Sequence, residues 1–361
     1  MLIVIVGVDD AQDNALEQAL VEYGLECEVR RVADAAAALA LPATDGIDVF
    51  VAGAWAGSME GAALLSQLRT LHPSAVRILL VEPSQDMGAM QALDVAHRLL
   101  HVPLDAGELI ESIESVVELR DLLDSPDLKR TIGRIGALPP PPRVYIELSQ
   151  LLRDPDASNA EIAEMLAQDP AIAAKVLRMC NSAYFSGGRV ITDFRSAVTR
   201  LGHQPLRRLV LASETFGSIQ SAGSIDRETL QDRALRTSRL AGRLLGGSSA
   251  ELAATAGLLA EIGMLLPGVR ADGTGEGPHY AEAGAYLLGL WGLPMPIVQA
   301  VAYHPYPSKM RSAGFWVTGA VHVASALVAG REVDESYLRA VGVIDKLGQW
   351  RTMVEPAAEA A

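Results

Sequence analysis

Four consecutive prolines, Pro139–Pro142, interrupt the chain. Proline has a fixed φ angle and no amide proton, so a run of four lies neither inside a helix nor in the centre of a sheet. Before the run, short apolar segments alternate with helical ones, whereas only helical signals follow it. The prolines therefore predict two domains: residues 1–119, a helical and proline-rich linker at 120–138, a second domain at 139–350, and a disordered tail at 351–361.

Strand-like and helix-like segments alternate in the first domain. The strand candidates are almost wholly apolar, which is typical of strands covered by helices on both faces. They are Leu2–Val6, Asp48–Ala52 and Val76–Val81, and the helix candidates between them are Asn14–Tyr23, Ala33–Leu41 and Met59–Leu71. This alternation predicts an α/β domain with a doubly wound parallel sheet.

A long helix is predicted at the end of the first domain, over Leu104–Leu123 and opened by Asp105. Its apolar residues form one seam, which consists of Leu109, Ile113, Val116 and Leu123. We expect the seam to pack on the sheet, and the alternative is a stalk that pairs two copies of the chain in a homodimer.

The second domain carries explicit helix-start signals and no alternating strand pattern. Ser158 and Glu161 form a capping box, and Asp169 precedes a proline at the first helical position. The predicted helices are Val144–Leu152, Asn159–Ala167, Pro170–Asn181, Phe194–Leu201, Pro205–Phe216, Arg227–Leu245, Ala250–Leu265, Tyr280–Leu290, Met295–His304 and Gly314–Ala329. The second domain is therefore predicted to be all-α.

The net charge of −14 is concentrated in the first domain. Residues 1–119 contain 5 arginines, no lysine and 19 acidic residues, while the rest of the chain has 25 basic and 25 acidic residues. An acidic surface repels polyanions, so nucleic acid is not expected as a partner of this domain.

Cysteine usage and hydropathy indicate a cytoplasmic chain. Cys27 and Cys180 are far apart and lack metal-ligand spacing, so neither a disulfide framework nor a zinc site is expected. No segment approaches the roughly 18 uncharged apolar residues of a membrane-spanning helix, so no membrane association is expected.

Arginines are concentrated between Arg189 and Arg243, where ten arginines accompany five acidic residues. Arg236, Arg239 and Arg243 recur on one face of a predicted helix, and Arg207 and Arg208 precede them. One interpretation is a solvated helix face. The other is an anion-binding face that docks the acidic first domain, an acidic partner or a nucleotide, because guanidinium groups match carboxylate and phosphate geometry. Docking of the first domain on this face would weaken as salt rises.

The first domain resembles the receiver domain of bacterial response regulators, a (βα)5 fold. The resemblance rests on VDD at Val8–Asp10, DVFVAG at Asp48–Gly53 and VP at Val102–Pro103. Receiver chemistry requires an acceptor carboxylate, a hydroxyl residue, a lysine and an acidic pair that holds Mg²⁺.

In this chain those receiver positions are largely replaced. Gly53 stands at the acceptor position, Val81 at the hydroxyl position and Val102 at the lysine position, and only Asp9 and Asp10 remain. Asp48 lies five residues, about 16 Å, from the position of Gly53 and cannot substitute. The resemblance thus implies a pseudo-receiver that is not phosphorylated.

The second domain resembles the HDOD domain, a helical module related to HD phosphohydrolases. The matching strings are LPPPPRVYIEL from Leu138, QDPAIAAKVLRMCNSAYF ending at Phe185, and EAGAYLLGLWGLPMPIVQAVAYH from Glu282 to His304. HD hydrolases bind their metals through an adjacent His-Asp pair and further histidines.

The His-Asp pair is replaced here by Ala260 and Glu261. His279, Glu282 and His304 remain nearby in sequence and, with Glu261, form a candidate ligand pocket. The alternative for His304 is a buried histidine at a helix end, and Cys180 is interpreted as a core residue. We expect no metal, no cofactor and no catalytic residue.

Together these resemblances imply a non-catalytic, cytoplasmic regulator of bacterial signal transduction. Its HDOD domain would act by binding other signalling proteins or a nucleotide. The competing hypothesis is a divergent metal-dependent phosphohydrolase that acts on nucleotides or cyclic dinucleotides, and the loss of the His-Asp pair argues against it.

Overall fold

The structure is a computed structural model that describes residues 1–8, 13–82, 92, 95–135, 147–148, 151–152, 154, 157–181, 190–203, 206, 227–271, 276–310 and 314–354. The chain divides into two compact units. The first, here the N-terminal unit, comprises Met1–Ala137, Arg178–Val190 and Gly289–Gly292. The second, the C-terminal unit, comprises Leu138–Leu177, Ile191–Leu288 and Leu293–Ala361. The proline run lies outside the described residues.

A parallel five-stranded sheet forms the centre of the N-terminal unit. Its strands are β1 (Leu2–Val6), β2 (Glu28–Val32), β3 (Val49–Ala52), β6 (Val76–Val81) and β7 (Arg98–His101), in the spatial order β2-β1-β3-β6-β7. Ile3 pairs with Val29 on one side and with Val49 on the other. The strand order reverses at β1, as in flavodoxin-like doubly wound sheets. The predicted α/β class with a parallel sheet is confirmed.

A short antiparallel hairpin follows β3. It consists of β4 (Trp55–Ala56) and β5 (Met59–Glu60), with Trp55 opposite Glu60 and a turn at Gly57, whose φ is +69°. The prediction of a helix from Met59 is wrong at its start, because Met59 and Glu60 belong to the hairpin and the helix begins at Gly61.

The helices of the N-terminal unit are α1 (Asp13–Glu22), α2 (Ala35–Leu39), α3 (Gly61–Leu71), α4 (Ala106–Leu122) and α5 (Pro126–Gly133). Asp105 caps α4 by accepting the Glu108 amide at 3.0 Å, and all four residues of the predicted seam are buried. Because α4 packs against α1 and β7, the seam belongs to the core of this unit.

Helix α5 lies within the predicted linker. Ser125 caps it and Pro126 occupies its first turn, a combination that favours helix initiation. A Cβ on Gly133 would lie 1.6 Å from the Pro73 carbonyl oxygen, so α5 touches the loop after α3. Residues 120–133 therefore fold with the N-terminal unit.

The described part of the chain from residue 147 onward is helical. Its helices are α6 (Asn159–Leu166), α7 (Pro170–Asn181), α8 (Phe194–Leu201), α9 (Arg227–Leu244), α10 (Ser248–Leu259), α11 (Tyr280–Leu290), α12 (Met295–Tyr303), α13 (Val317–Val328), α14 (Glu335–Ala340) and α15 (Leu347–Thr352). The helical class of the C-terminal region is confirmed. Helices α9, α10, α12 and α13 pack on one another, and α13 is buried along nearly its whole length.

Four predicted segments differ from the structure or lie at least partly outside the described residues. The predicted helix Ala250–Leu265 ends at Leu259, and a 3-10 turn follows at Ile262–Leu265. Helix α15 continues to Thr352, into the predicted tail, while residues 355–361 lie outside the described residues. Most of Val144–Leu152 and Pro205–Phe216 also lies outside them. No helix within the described ranges is long and apolar enough to cross a membrane.

Candidate functional site

Main-chain atoms fill the carboxyl edge of the sheet, where a receiver would hold its acceptor side chain. Gly53 follows β3 and donates its amide to the Val6 carbonyl at 2.9 Å. A Cβ on Gly53 would lie 2.3 Å from the carbonyl oxygen of Gly7, and a Cβ on Gly61 would lie 2.0 Å from that of Gly53. Atoms this close overlap. The position predicted to have lost its carboxylate therefore has no space for any side chain.

Gly7 is held against the hairpin by the same packing. Its φ is +66°, and a Cβ there would lie 2.2 Å from the Trp55 carbonyl oxygen. Gly7, Gly53 and Gly61 thus form a glycine contact, in which main chains from β1, β3 and α3 touch directly. The hairpin closes over this contact.

Among the described residues, the positions predicted to match the receiver hydroxyl and lysine carry valines. Val81 is buried at the end of β6, and Val102 precedes Pro103 in a cis peptide after β7. Asp48 lies at the start of β3, where it accepts the Leu2 amide at 2.7 Å and pairs with Arg120. Asp9 and Asp10 lie outside the described residues.

In the C-terminal unit, Ala260 and Glu261 occupy the junction between α10 and the following 3-10 turn. Only 6% of Glu261 is exposed. Its Oε1 accepts from Arg233 of α9 and from Nη2 of Arg331 at 3.2 Å. Oε2 of Glu261 is buried and has no hydrogen-bond partner among the described residues. Two guanidinium groups therefore compensate this buried carboxylate.

A second branch of the network leads from Arg331 to His304. Nη1 of Arg331 donates to the Tyr280 hydroxyl at 3.4 Å, and that hydroxyl lies 3.0 Å from Nε2 of His304. Nδ1 of His304 lies 2.9 Å from the Val301 carbonyl and donates to it. Nε2 is consequently the acceptor for the tyrosine hydroxyl. Burial lowers the pKa of His304 to about 3, so the ring is neutral at physiological pH.

His322 of α13 extends the network to α14. Its Nδ1 donates to the His304 carbonyl at 2.7 Å, and its Nε2 accepts the Asp334 amide at 2.9 Å. Burial lowers the pKa of His322 as well. Although burial alone would raise it, hydrogen bonds from Ser308, Ser336 and the Tyr337 amide lower the pKa of Asp334 to about 2.

The four predicted pocket residues do not form one site. The structure connects Glu261 to His304 through Arg331 and Tyr280, and it packs His279 against Tyr280 with ring centroids 4.5 Å apart. Glu282 is exposed on α11 and does not join this buried network, so its inclusion is corrected. Glu282 follows Ala281 and precedes Ala283, which are both buried, and so it projects from the opposite side of the helix.

The imidazoles are not free to ligate a metal ion. In His304 and His322 one nitrogen donates to a carbonyl and the other already accepts a hydrogen bond. Nδ1 of His279 accepts the Ala281 amide at 3.2 Å, which leaves the proton of a neutral ring on Nε2. Within the described ranges, no group of three or more His, Cys, Asp or Glu side chains is placed to hold a metal ion. These residues do not fit a metal centre.

The predicted arginine face is only partly exposed. Arg239 and Arg243 are exposed on α9, whereas Arg236 is largely buried and pairs with Asp232 at 3.3 Å. Arg207 and Arg208 lie outside the described residues. A different arginine of the same helix, Arg233, reaches Glu261. Its role was not predicted, because its partner lies 28 residues away in sequence.

Comparison with known proteins identifies the C-terminal region. Residues 138–272 match the HDOD domain family, so the chain carries an HDOD domain there. An uncharacterized protein of Treponema pallidum is 27% identical over an alignment of 197 residues, and the match covers 47% of this chain. The chain spans 38% of the length of that relative.

Solved structures also show similarity to parts of the chain. The MmoQ response regulator from Methylococcus capsulatus is 21% identical over 60% of this chain and 98% of its own, with a TM-score of 0.48. A virulence factor from Campylobacter jejuni is 15% identical over 63% of this chain and 90% of its own, also with a TM-score of 0.48.

We predict that Gly53→Ala lowers the free energy of unfolding of the N-terminal unit by about 3 kcal/mol, because the added Cβ overlaps a main-chain carbonyl. Gly46→Ala is the control, since Gly46 has a φ of +63° but open space around its Cβ position. It should cost about 1–2 kcal/mol from conformation alone. Urea denaturation followed by circular dichroism measures the free energy of unfolding of both variants. Equal losses of stability in Gly53→Ala and Gly46→Ala would contradict the steric overlap.

We predict that Arg233→Met lowers the free energy of unfolding of the C-terminal unit by about 3 kcal/mol, because Glu261 keeps its buried charge and loses a partner. Adding Glu261→Gln should recover part of this loss. The control is Arg339→Met, which breaks the exposed Arg339–Glu335 pair and should cost less than about 0.5 kcal/mol. Denaturant titration at neutral pH measures the free energy of unfolding. The prediction is refuted if Arg233→Met and Arg339→Met lower it by the same amount.

We predict that the C-terminal unit loses stability as the pH falls below about 6.5. In this range the unfolded chain protonates His304, whereas the folded state, with a pKa of about 3, does not. The expected loss from this histidine is about 2 kcal/mol between pH 7 and pH 5. The melting temperature is measured by thermal denaturation across this pH range. Its decrease with falling pH should be shallower for His304→Gln than for the wild type, and unchanged for the control His203→Gln. An unchanged slope in His304→Gln would exclude His304 as the source.

Proposed function

We propose that this chain is a non-catalytic regulator of signal transduction in the cytoplasm. In this proposal the HDOD domain acts by binding a signalling protein or a nucleotide, and the N-terminal unit is a receiver-like domain that is not phosphorylated. The observation that carries the proposal is the buried ion cluster at Glu261, where arginines take the place that metal chemistry would need.

The Glu261 cluster supports binding rather than hydrolysis. A metal that activates water needs several ligands with available lone pairs and an open coordination position. Here Ala260 has no ligating atom, and Arg233 and Arg331 both donate to Oε1 of Glu261. The neutral histidines are fixed by main-chain partners, so their network has the character of a structural core.

The glycine contact supports a unit without phosphoryl transfer. An acyl phosphate forms on a carboxylate, and Gly53 has neither the carboxylate nor the space for one. A nearby hydroxyl and lysine would also be needed to stabilise the transferred group. The corresponding positions, Val81 and Val102, provide neither.

Binding partners are proposed from charge and exposure. Arg239 and Arg243 are exposed on α9, and such guanidinium groups suit carboxylates and phosphates. This face fits an acidic signalling protein or a nucleotide, while the acidic N-terminal unit disfavours nucleic acid.

Two assays on the full chain test the proposal. With acetyl phosphate and Mg²⁺, intact-mass analysis should show no added phosphate on the wild type or on Gly53→Asp. With Mn²⁺, Fe²⁺ or Mg²⁺, no nucleotide, cyclic dinucleotide or simple phosphoester should be hydrolysed above background. A phosphorylatable receiver and an HD phosphohydrolase serve as positive controls.

Two results would overturn the proposal. The first is a stoichiometric, base-labile phosphate on residues 1–119. The second is turnover that disappears in His304→Ala and persists in His203→Gln, which would establish the competing phosphohydrolase function.

A further inference from the structure

A cavity of about 500 Å³ opens beside the hairpin in the N-terminal unit. It lies at the carboxyl end of β6, between the hairpin and α3, and Leu79 and Val81 contribute to its wall. Its volume falls within the range of about 300–1,000 Å³ that is usual for small-molecule sites. Ligands of doubly wound folds bind at this edge of the sheet.

The cavity combines an aliphatic wall with three polar or aromatic groups. Alanines, Leu79 and Val81 supply the wall, and Trp55, Glu60 and Ser66 supply the other groups. Trp55 and Glu60 lie directly opposite each other in the hairpin, so their side chains extend from the same face of it. An apolar surface with a few convergent polar groups is the usual composition of a ligand site.

Trp55 and Glu60 are both open to solvent. Trp55 is 57% exposed, which is unusual for an indole, and Glu60 is exposed as well. Glu60 has no ion-pair partner among the residues that the structure describes. A carboxylate beside an aromatic face attracts an organic cation, because the ring quadrupole and the negative charge act together.

The net negative charge of the N-terminal unit also favours a cationic ligand. Residues 1–119 carry 19 acidic side chains against 5 arginines and no lysine. The resulting field concentrates cations and excludes anions such as phosphate from a cleft in this unit.

We propose that this cavity binds a small organic amine. Its ammonium group lies between the Glu60 carboxylate and the Trp55 indole, with the Ser66 hydroxyl as a further acceptor. Its apolar body lies against Leu79 and Val81. The proposed function leaves the N-terminal unit without phosphorylation and assigns it no ligand. The amine site goes beyond that function, since it gives the N-terminal unit a small-molecule ligand.

The test uses three amines of increasing size, each beside the alcohol that replaces its ammonium group: hexylamine with hexanol, 2-phenylethylamine with 2-phenylethanol, and tryptamine with tryptophol. Calorimetric titration of the full chain should show at least one amine binding about tenfold more tightly than its alcohol. Glu60→Gln should remove this preference, and Trp55→Leu should weaken the amine.

Glu111→Gln is the matched control, because Glu111 is an exposed glutamate of α4 that does not line the cavity. It should bind the amine as the wild type does. The proposal is overturned if no amine binds more tightly than its alcohol at millimolar concentration, or if Glu60→Gln and Glu111→Gln behave alike. Neither result depends on the phosphorylation or hydrolysis assays, so failure here is distinguishable from failure of the proposed function.

Discussion

Direct contact between main chains at Gly7, Gly53 and Gly61 governs the carboxyl edge of the sheet. Parallel strands present their catalytic side chains at this edge, so its free space decides what chemistry the unit can perform. Here the carbonyl oxygens occupy that space, and the hairpin after β3 closes over them. An open cavity lies beside the hairpin, where aliphatic residues and Trp55 line it.

In the C-terminal unit, the candidate site is occupied by paired charges and hydrogen bonds rather than by main-chain atoms. A buried carboxylate is stable only when it is paired, and Glu261 is paired by two arginines from distant segments. Each imidazole nitrogen of His304 and His322 has a hydrogen-bond partner, three of the four in the main chain. Groups that coordinate metals in other proteins therefore stabilise helix packing in this one.

The sequence predicted those strands whose residues follow a local apolar pattern. Strands β1 and β3 are apolar throughout, β6 is apolar except for Arg77, and all three were predicted. Strand β2 carries Glu28, Arg30 and Arg31 at the edge of the sheet and was not predicted. Strand β7 was also missed, because it begins with Arg98, whose buried guanidinium donates to the Ser112 carbonyl and the Ser115 hydroxyl.

The sites show the same division between local and distant information. The absence of a carboxylate at position 53 is evident from the sequence, but the closure of its space by Gly7 could not be predicted from it. Likewise, Glu261 was identified as a candidate, while its partner Arg331 lies 70 residues away and no local pattern connects the two. Glu282 was included through sequence proximity to His279, and the helix turns it outward.

The hairpin makes it difficult for the chain to acquire an aspartate at position 53 in evolution. Introducing aspartate at position 53 by one mutation would force the new side chain into the Gly7 carbonyl, and Gly7 is itself confined by Trp55. A lineage that acquired the carboxylate would first have to move or shorten the hairpin, and that intermediate would still lack the carboxylate. The two changes must occur in that order, so descendants of this chain are expected to diversify around the hairpin rather than place a side chain at position 53.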